Sequence, residues 1–263
     1  MTTMSYAVSD SATMLRRSLR HIVRYPSMTI MLIGMPIVFL LLFVFVFGGT
    51  LGAGLGDPAG GRAEYVNYVT PGIILMTVVA AAQGTSISVA MDMTAGIIAR
   101  FRTMAITRTS VLTGHVLGSL IQTMLSLVVV IGVAVGIGFR PDAGLVEWVA
   151  AFGLLALITF AVIWLSVAFG LVSKSVETAS NLPMVLLLLP FLGSAFVPTD
   201  SMPTALRWFA EYQPFTPVIE TLRGLLLGGP IGNNAALAIA WGIGISLLGY
   251  LWARRLFNRR ASH

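Results

Sequence analysis

An all-α, polytopic membrane protein is what this sequence predicts, on three observations. Apolar residues make up 57% of the 263 and charged residues 10%, with a mean hydropathy of +0.90, well outside the composition of a soluble domain. Several uncharged apolar runs are long enough, at about 1.5 Å per residue, to cross a hydrocarbon core of about 30 Å. The basic residues gather in some connecting segments and avoid others, which is the asymmetry that orients a chain in a membrane. The expected architecture is six transmembrane helices, an N-terminal amphipathic helix, a basic amphipathic helix after the second span, and an external re-entrant helix pair.

After a polar tail, Leu15, Leu19, Ile22 and Val23 recur at helical spacing with Arg16, Arg17, Arg20 and Arg24 on the other faces. That pattern predicts a helix lying in the headgroup plane, and residues 1–27 form a tail and interfacial segment. The first span is expected at 28–47, bent near Pro36; it is too long and begins too late for a cleaved signal peptide. The Gly-rich segment 48–69 reads as an external loop. Its Gly52, Gly54 and Gly56 are not a dinucleotide fingerprint, since no strand precedes them. The second span is expected at 70–91, and the third at 116–138, where Gly132 and Gly136 have the spacing of closely approaching helices.

Between these two spans lies Asp92–Gly114, the one polar, basic stretch caught between long apolar runs. Ile97, Ile98, Phe101, Met104 and Ala105 share one helical face, and Arg100, Arg102 and Arg108 occupy the rest. Such a helix either rests on lipid headgroups or receives a cytoplasmic partner. The fourth span is expected at 149–172. The fifth, at 181–197, carries Pro183 and Pro190 and should be kinked or unwound. Residues 205–228 are apolar enough for a span, but Arg207, Glu211, Glu220 and Arg223 each cost about 2.5 to 3.5 kcal/mol at mid-bilayer. They are read as two short helices dipping into the outer leaflet. The sixth span, 235–252, completes a transmembrane domain over 28–253, followed by a basic tail, 254–263.

Of the sixteen Lys and Arg, all but Arg62, Arg140, Arg207 and Arg223 fall on the side of the termini. Both termini and the Asp92–Gly114 segment are therefore expected to be cytoplasmic, with the chain in the plasma membrane. Topology accounts for the net charge of +6, so nucleic acid is not an expected partner.

Missing residues narrow the chemistry. With no Cys there is no thiolate nucleophile or thiolate metal site. Lys174, the sole lysine, has no phosphate-binding loop before it, and His21, His115 and His263 form no HExxH motif. No metal site and no cofactor bound by this chain is expected. The expected spans hold no acid, lysine or arginine, which an ion-coupled carrier would need. The densest polar group within a span is Gln83 with Thr85, Ser86 and Ser88, which either bonds helix to helix or lines a path for a largely apolar substrate. Asn181 and Ser194 on the fifth span are candidates for the facing wall.

Two stretches then carry a resemblance. GIIARFRTMAITRTSVLTG, Gly96–Gly114, and SMPTALRWFAEYQPFTPVIETLRGLLLG, Ser201–Gly228, are similar to the loop and external signature of type-2 ABC exporter permeases, and most closely of the daunorubicin-type drug-efflux permeases of actinobacteria. The signature positions are Met202, Pro203, Leu206, Gln213, Pro214, Pro217, Leu222 and Arg223. The resemblance covers nearly the whole chain. It implies two permease chains, here expected as a homodimer, and two separate ATPase subunits that hold ATP and Mg. It assigns the coupling helix to Gly96, Arg100, Phe101, Arg102, Thr103 and Met104, and the connecting helix to Arg16, Arg17, Arg20 and Arg24. It places the substrate path along the second and fifth spans, where Gln83, Ser86, Asn181 and Ser194 fall. The function expected is a non-enzymatic permease subunit exporting an amphipathic compound such as an antibiotic or drug. The alternatives are export of a lipid or polysaccharide, or a membrane enzyme acting on lipid through Glu211 and Glu220.

Overall fold

The computed structural model describes residues 26–55, 61–94 and 108–260, and every regular element among them is helical. Helix α1 (Pro26–Leu41) continues through a π-helical stretch, Leu42–Phe47, into α2 (Gly48–Ala53). Then come α3 (Gly61–Thr94), α4 (Arg108–Ile137) and α5 (Leu145–Val172). Two short helices, α6 (Val176–Asn181) and α7 (Met184–Phe191), precede α8 (Thr204–Tyr212) and α9 (Phe215–Leu227). The long α10 (Asn234–Arg260) ends the order. Among the described residues, five stretches are long and apolar enough to cross a membrane: Thr29–Ala53, Gly61–Thr94, Leu112–Ile137, Leu145–Val172 and Asn234–Asn258.

The stretch expected as the fifth span is built differently. No single helix there reaches span length: α6 stops at Asn181, α7 runs only from Met184 to Phe191, and turns follow. Pro183 and Pro190 explain it, because each lacks the N–H that would bond one turn back and its ring crowds the preceding turn. The segment 48–69, expected as loop, is largely helical. Hydropathy marks where apolar side chains end, whereas the backbone of α3 continues to Gly61, with Tyr65, Val66 and Val69 buried on its inner face.

Helix α3 is the axis of the bundle. Seventy-two per cent of its most apolar part is buried, against 17% in the Thr29–Ala53 and Asn234–Asn258 stretches. It packs against α1, α4, α5, α6, α7 and α9, while α10 packs mainly on α5. Consecutive spans run antiparallel, with Gly48 beside Arg62 and Asp92 beside His115, so that α5 runs parallel to α3, with Gly170 beside Ser86. At Gly170 a Cβ would stand 2.6 Å from the Ser86 carbonyl oxygen, so the closest approach of α5 to α3 depends on that missing atom. Gly132 and Gly136, the expected contact pair, instead have open space around them and sit on the exposed face of α4. Spacing reveals a stripe of small residues but not which way it faces.

At the end of the bundle away from the α3–α4 connection, rings tie the π-helical stretch after α1 to the turn after α7. Phe43 stacks on Phe196 at 4.2 Å, and Phe191 stacks on Phe196 at 4.7 Å. The Tyr65 hydroxyl donates to the Phe196 carbonyl at 3.2 Å, fixing the same turn to α3.

Candidate functional site: a cavity between four helices

A cavity of about 420 Å³ lies between α1, α3, α4 and α7. Its wall is mostly apolar, with Met31, Met35, Met76, Met91 and Met184 contributing flexible thioether side chains that fit irregular shapes. Polar groups stand out singly. The α4 positions Ser119, Gln122 and Thr123 fall on one face with His115, because offsets of four, seven and eight residues return to the same side of a helix. Gln83, Gly84, Ile87 and Ser88 line it from α3 by the same periodicity.

Hydrogen bonds across the walls hold the cavity open. Gln122 Nε2 donates to Thr29 Oγ1 at 2.9 Å, joining α4 to α1. The Thr85 hydroxyl donates to the Ala81 carbonyl and shares a 2.9 Å hydrogen bond with the Ser119 hydroxyl, joining α3 to α4. Gln83 Nε2 donates to the Ser180 carbonyl at 3.2 Å, joining α3 to the end of α6. At the end nearest the α3–α4 connection, His115 Nε2 lies 3.0 Å from Asp92 Oδ2, with the two side chains 16% and 13% exposed.

Of the residues expected along a substrate path, Gln83 lines this cavity. Asn181 is exposed at the end of α6, next to the Ser180 that Gln83 bonds. Ser86 sits on another face of α3, buried against α5, and its hydroxyl has no partner among the described residues. Ser194 is buried at the opposite end of the bundle, where its carbonyl accepts from Arg223 and its own hydroxyl is likewise unpartnered. The structure thus brings Gln83 and the end of α6 together and leaves Ser86 and Ser194 away from the cavity. Gly96, Arg100, Phe101, Arg102, Thr103 and Met104, and Arg16, Arg17, Arg20 and Arg24, lie outside the described residues.

Sequence reasoning passed over Asp92, His115, Gln122 and Thr29. A signal existed for three of them. His115, Ser119 and Gln122 form a polar stripe inside an apolar span, and Thr29 opens the first apolar run. The apolar run stops at Met91, which assigns Asp92 to the polar stretch between the spans, yet α3 continues to Thr94.

The external signature residues serve as joints. Gln213 Oε1 accepts the Phe215 amide at 3.2 Å, while its Nε2 donates to Leu189 O at 3.2 Å and to Thr216 Oγ1 at 3.0 Å. It therefore caps α9 and fastens it to α7. Pro203 and Pro214 stand at the N-terminal boundaries of α8 and α9, and Pro217 lies in the first turn of α9, where a missing N–H leaves no bond unmade. Arg223 donates to Glu220 Oε1 at 2.6 Å, to Tyr68 O at 3.1 Å and to Ser194 O at 2.9 Å. On α8, Arg207 pairs with Glu211 at 2.7 Å and Asp200 at 2.6 Å; the Glu211 hydrogen bond, then the Asp200 charge, hold its guanidinium above its ordinary range. These acids form separate local pairs, and among the described residues no group of three His, Cys, Asp or Glu could hold a metal ion.

Comparison with known proteins follows the same lines. Residues 11–227 match the model of a family described as ABC-2 type transporter. The chain is 27% identical over 258 residues, 98% of its length and 89% of the relative's, to the daunorubicin resistance ABC transporter permease protein DrrB1 of Streptomyces coeruleorubidus. It is 22% identical over 214 residues, 81% of its length and 75% of the relative's, to the probable doxorubicin resistance ABC transporter permease protein DrrC of Mycobacterium tuberculosis (strain CDC 1551 / Oshkosh).

Proposed function

This chain belongs to the ABC-2 type transporter family, and on that premise we propose that it is the permease subunit of an exporter moving an amphipathic compound, a drug or antibiotic, outward across the plasma membrane. Two relatives carry names that refer to daunorubicin and doxorubicin resistance, and the chain aligns with them over most of its length. ATP and Mg are held by a separate ATPase subunit, in keeping with the absence of a phosphate-binding loop in this sequence. Both termini and the 95–107 connection face the cytoplasm. There Gly96–Met104, centred on Arg100, Phe101 and Arg102, engages the ATPase beside the Arg16–Arg24 helix, and a second copy of the chain completes the membrane unit.

The observation that carries this reading is the cavity. At about 420 Å³ it falls within the range of small-molecule sites, about 300 to 1,000 Å³, and its wall is greasy with a few placed polar groups. Two of its walls, α3 and α4, are consecutive helices joined by the 95–107 connection. A push on that connection reaches both walls without passing through any other element, so nucleotide-driven motion of a partner would reshape the cavity.

The test is reconstitution. The tagged chain is expected to co-purify from native membranes with an ATP-binding subunit. The pair in vesicles should then move a fluorescent amphiphile in the ATP-dependent direction, while the chain alone moves none. Uphill transport by the chain alone, or labelling of the 95–107 connection from the cell exterior, would refute it.

A further inference from the structure

Helix α10 packs mainly on α5 and leaves most of its remaining surface uncovered. One exposed stripe runs through Trp241, Gly244, Leu248 and Leu251, at steps of three or four residues that keep it on a single side of the helix. Three and four residues past Leu251 the stripe continues in Arg254 and Arg255, also exposed. A face that is apolar for about three turns and then basic, without changing side, matches hydrocarbon followed by lipid headgroups. Away from that stripe, Ala253 and Phe257 are buried in one cluster with Leu171, Val89 and Leu112, so the basic end lies beside the 95–107 connection.

The seam between α5 and α10 finishes there too. Phe169 of α5 meets Trp252 of α10 edge to face, with ring centroids 5.8 Å apart and both side chains half-buried. Lys174, exposed, follows two residues after α5 ends at Val172. Among the described residues none of Lys174, Arg254 and Arg255 forms an ion pair with an acid. The pull of a helix C-terminus on cations is confined to its last turn, and α10 runs on to Arg260, so its dipole does not account for Arg254 and Arg255.

We infer that this end of the α5–α10 seam binds an anionic phospholipid of the adjoining leaflet, its phosphate held by Arg254, Arg255 and Lys174 and an acyl chain lying along Leu251 and Leu248. The guanidinium fork matches a phosphate's oxygens, and the lysine adds a point charge. Trp252 stands where such a lipid changes from polar to apolar, the place an indole with a greasy body and one N–H donor favours. A zwitterionic lipid offers the same phosphate but brings its own cation, which three basic side chains repel. The inference is independent of what the protein transports.

The experiment uses the full chain in detergent, with native mass spectrometry of lipid adducts during titration by phosphatidylglycerol or phosphatidylcholine of identical acyl chains. Phosphatidylglycerol is expected to bind at least tenfold tighter. Each basic residue near a headgroup contributes about fivefold, so Lys174→Gln should weaken phosphatidylglycerol about fivefold and Arg254→Gln with Arg255→Gln about 25-fold, phosphatidylcholine being unchanged. Phosphatidylglycerol with brominated chains should quench tryptophan fluorescence, and Trp252→Phe should remove part of that quenching. Equal affinity for the two lipids, or equal loss of both in the variants, would overturn the inference. So would an undiminished preference in the double variant, which would place the lipid elsewhere, or displacement of the lipid by millimolar inorganic phosphate, which would mark a site for a free anion. Should the double variant fail to fold, the single variants decide: about fivefold loss of phosphatidylglycerol alone in each supports the inference, and no loss in any of them overturns it.

Discussion

The guanidinium of Arg223 lies over the ring of Tyr68, 3.9 Å from its centroid, and from there donates to the Tyr68 and Ser194 carbonyls. One side chain thereby joins α9, α3 and the turn after α7. Arg223→Ala removes those bonds together with the ion pair to Glu220, and should cost about 2 to 4 kcal/mol as a lower melting temperature in detergent. Arg223→Lys keeps the charge but not the fork of donors, so it should recover only part of the loss. A full recovery by lysine would show that charge alone matters there.

Glycine substitutions offer a paired test of the helix packing. Gly170→Ala pushes a methyl against the Ser86 carbonyl oxygen and the Val89 side chain, and should destabilise the bundle by about 1 to 3 kcal/mol. Gly132→Ala meets nothing within 4 Å and improves helix propensity, so it should be neutral or stabilising by up to about 1 kcal/mol. Thermal unfolding of the two variants side by side checks the contrast.

Gly84 lines the cavity with no atom within 4 Å of where its Cβ would be. Gly84→Trp should fill the cavity without disturbing the fold. The expected outcome is normal expression, normal melting and loss of most amphiphile transport in vesicles containing the complex. Transport at the unaltered rate would place the substrate elsewhere.

For the coupling segment, Arg100→Glu or Phe101→Ala should leave membrane insertion intact and abolish substrate-stimulated ATPase activity in the reconstituted complex. Membrane fractionation and phosphate release measure the two halves of that statement. Unchanged stimulation in either variant would count against the assignment.

The helical, membrane-spanning character of the chain was legible because hydropathy averages over many residues, and five of the long apolar runs are long apolar helices in the structure. What was not legible depended on direction or on distant partners. The Gly132 and Gly136 spacing is right for close packing, but periodicity cannot say that this face of α4 points outward. Asp92 belongs to a helix because α3 outruns its apolar run, and His115 pairs with it across 23 residues of chain. Gln213 and Arg223 could be picked out by pattern, but their tasks depend on Leu189, Tyr68 and Ser194, which no local reading connects to them. Ser86 and Gln83 are three residues apart, yet one is buried against α5 and the other looks into the cavity.

Helix α3 has 34 residues, about 51 Å at 1.5 Å per residue, against a hydrocarbon thickness of about 30 Å. Such a rod works as a lever. Its Thr94 tip adjoins the 95–107 connection, and its far arm is clamped at Tyr68 by Arg223. Between the two stands Pro71, where the ladder of backbone bonds lacks a rung. A sideways force on the tip therefore swings the Met76–Asp92 shaft about a fulcrum at Pro71, and the wall bearing Gln83 travels with it.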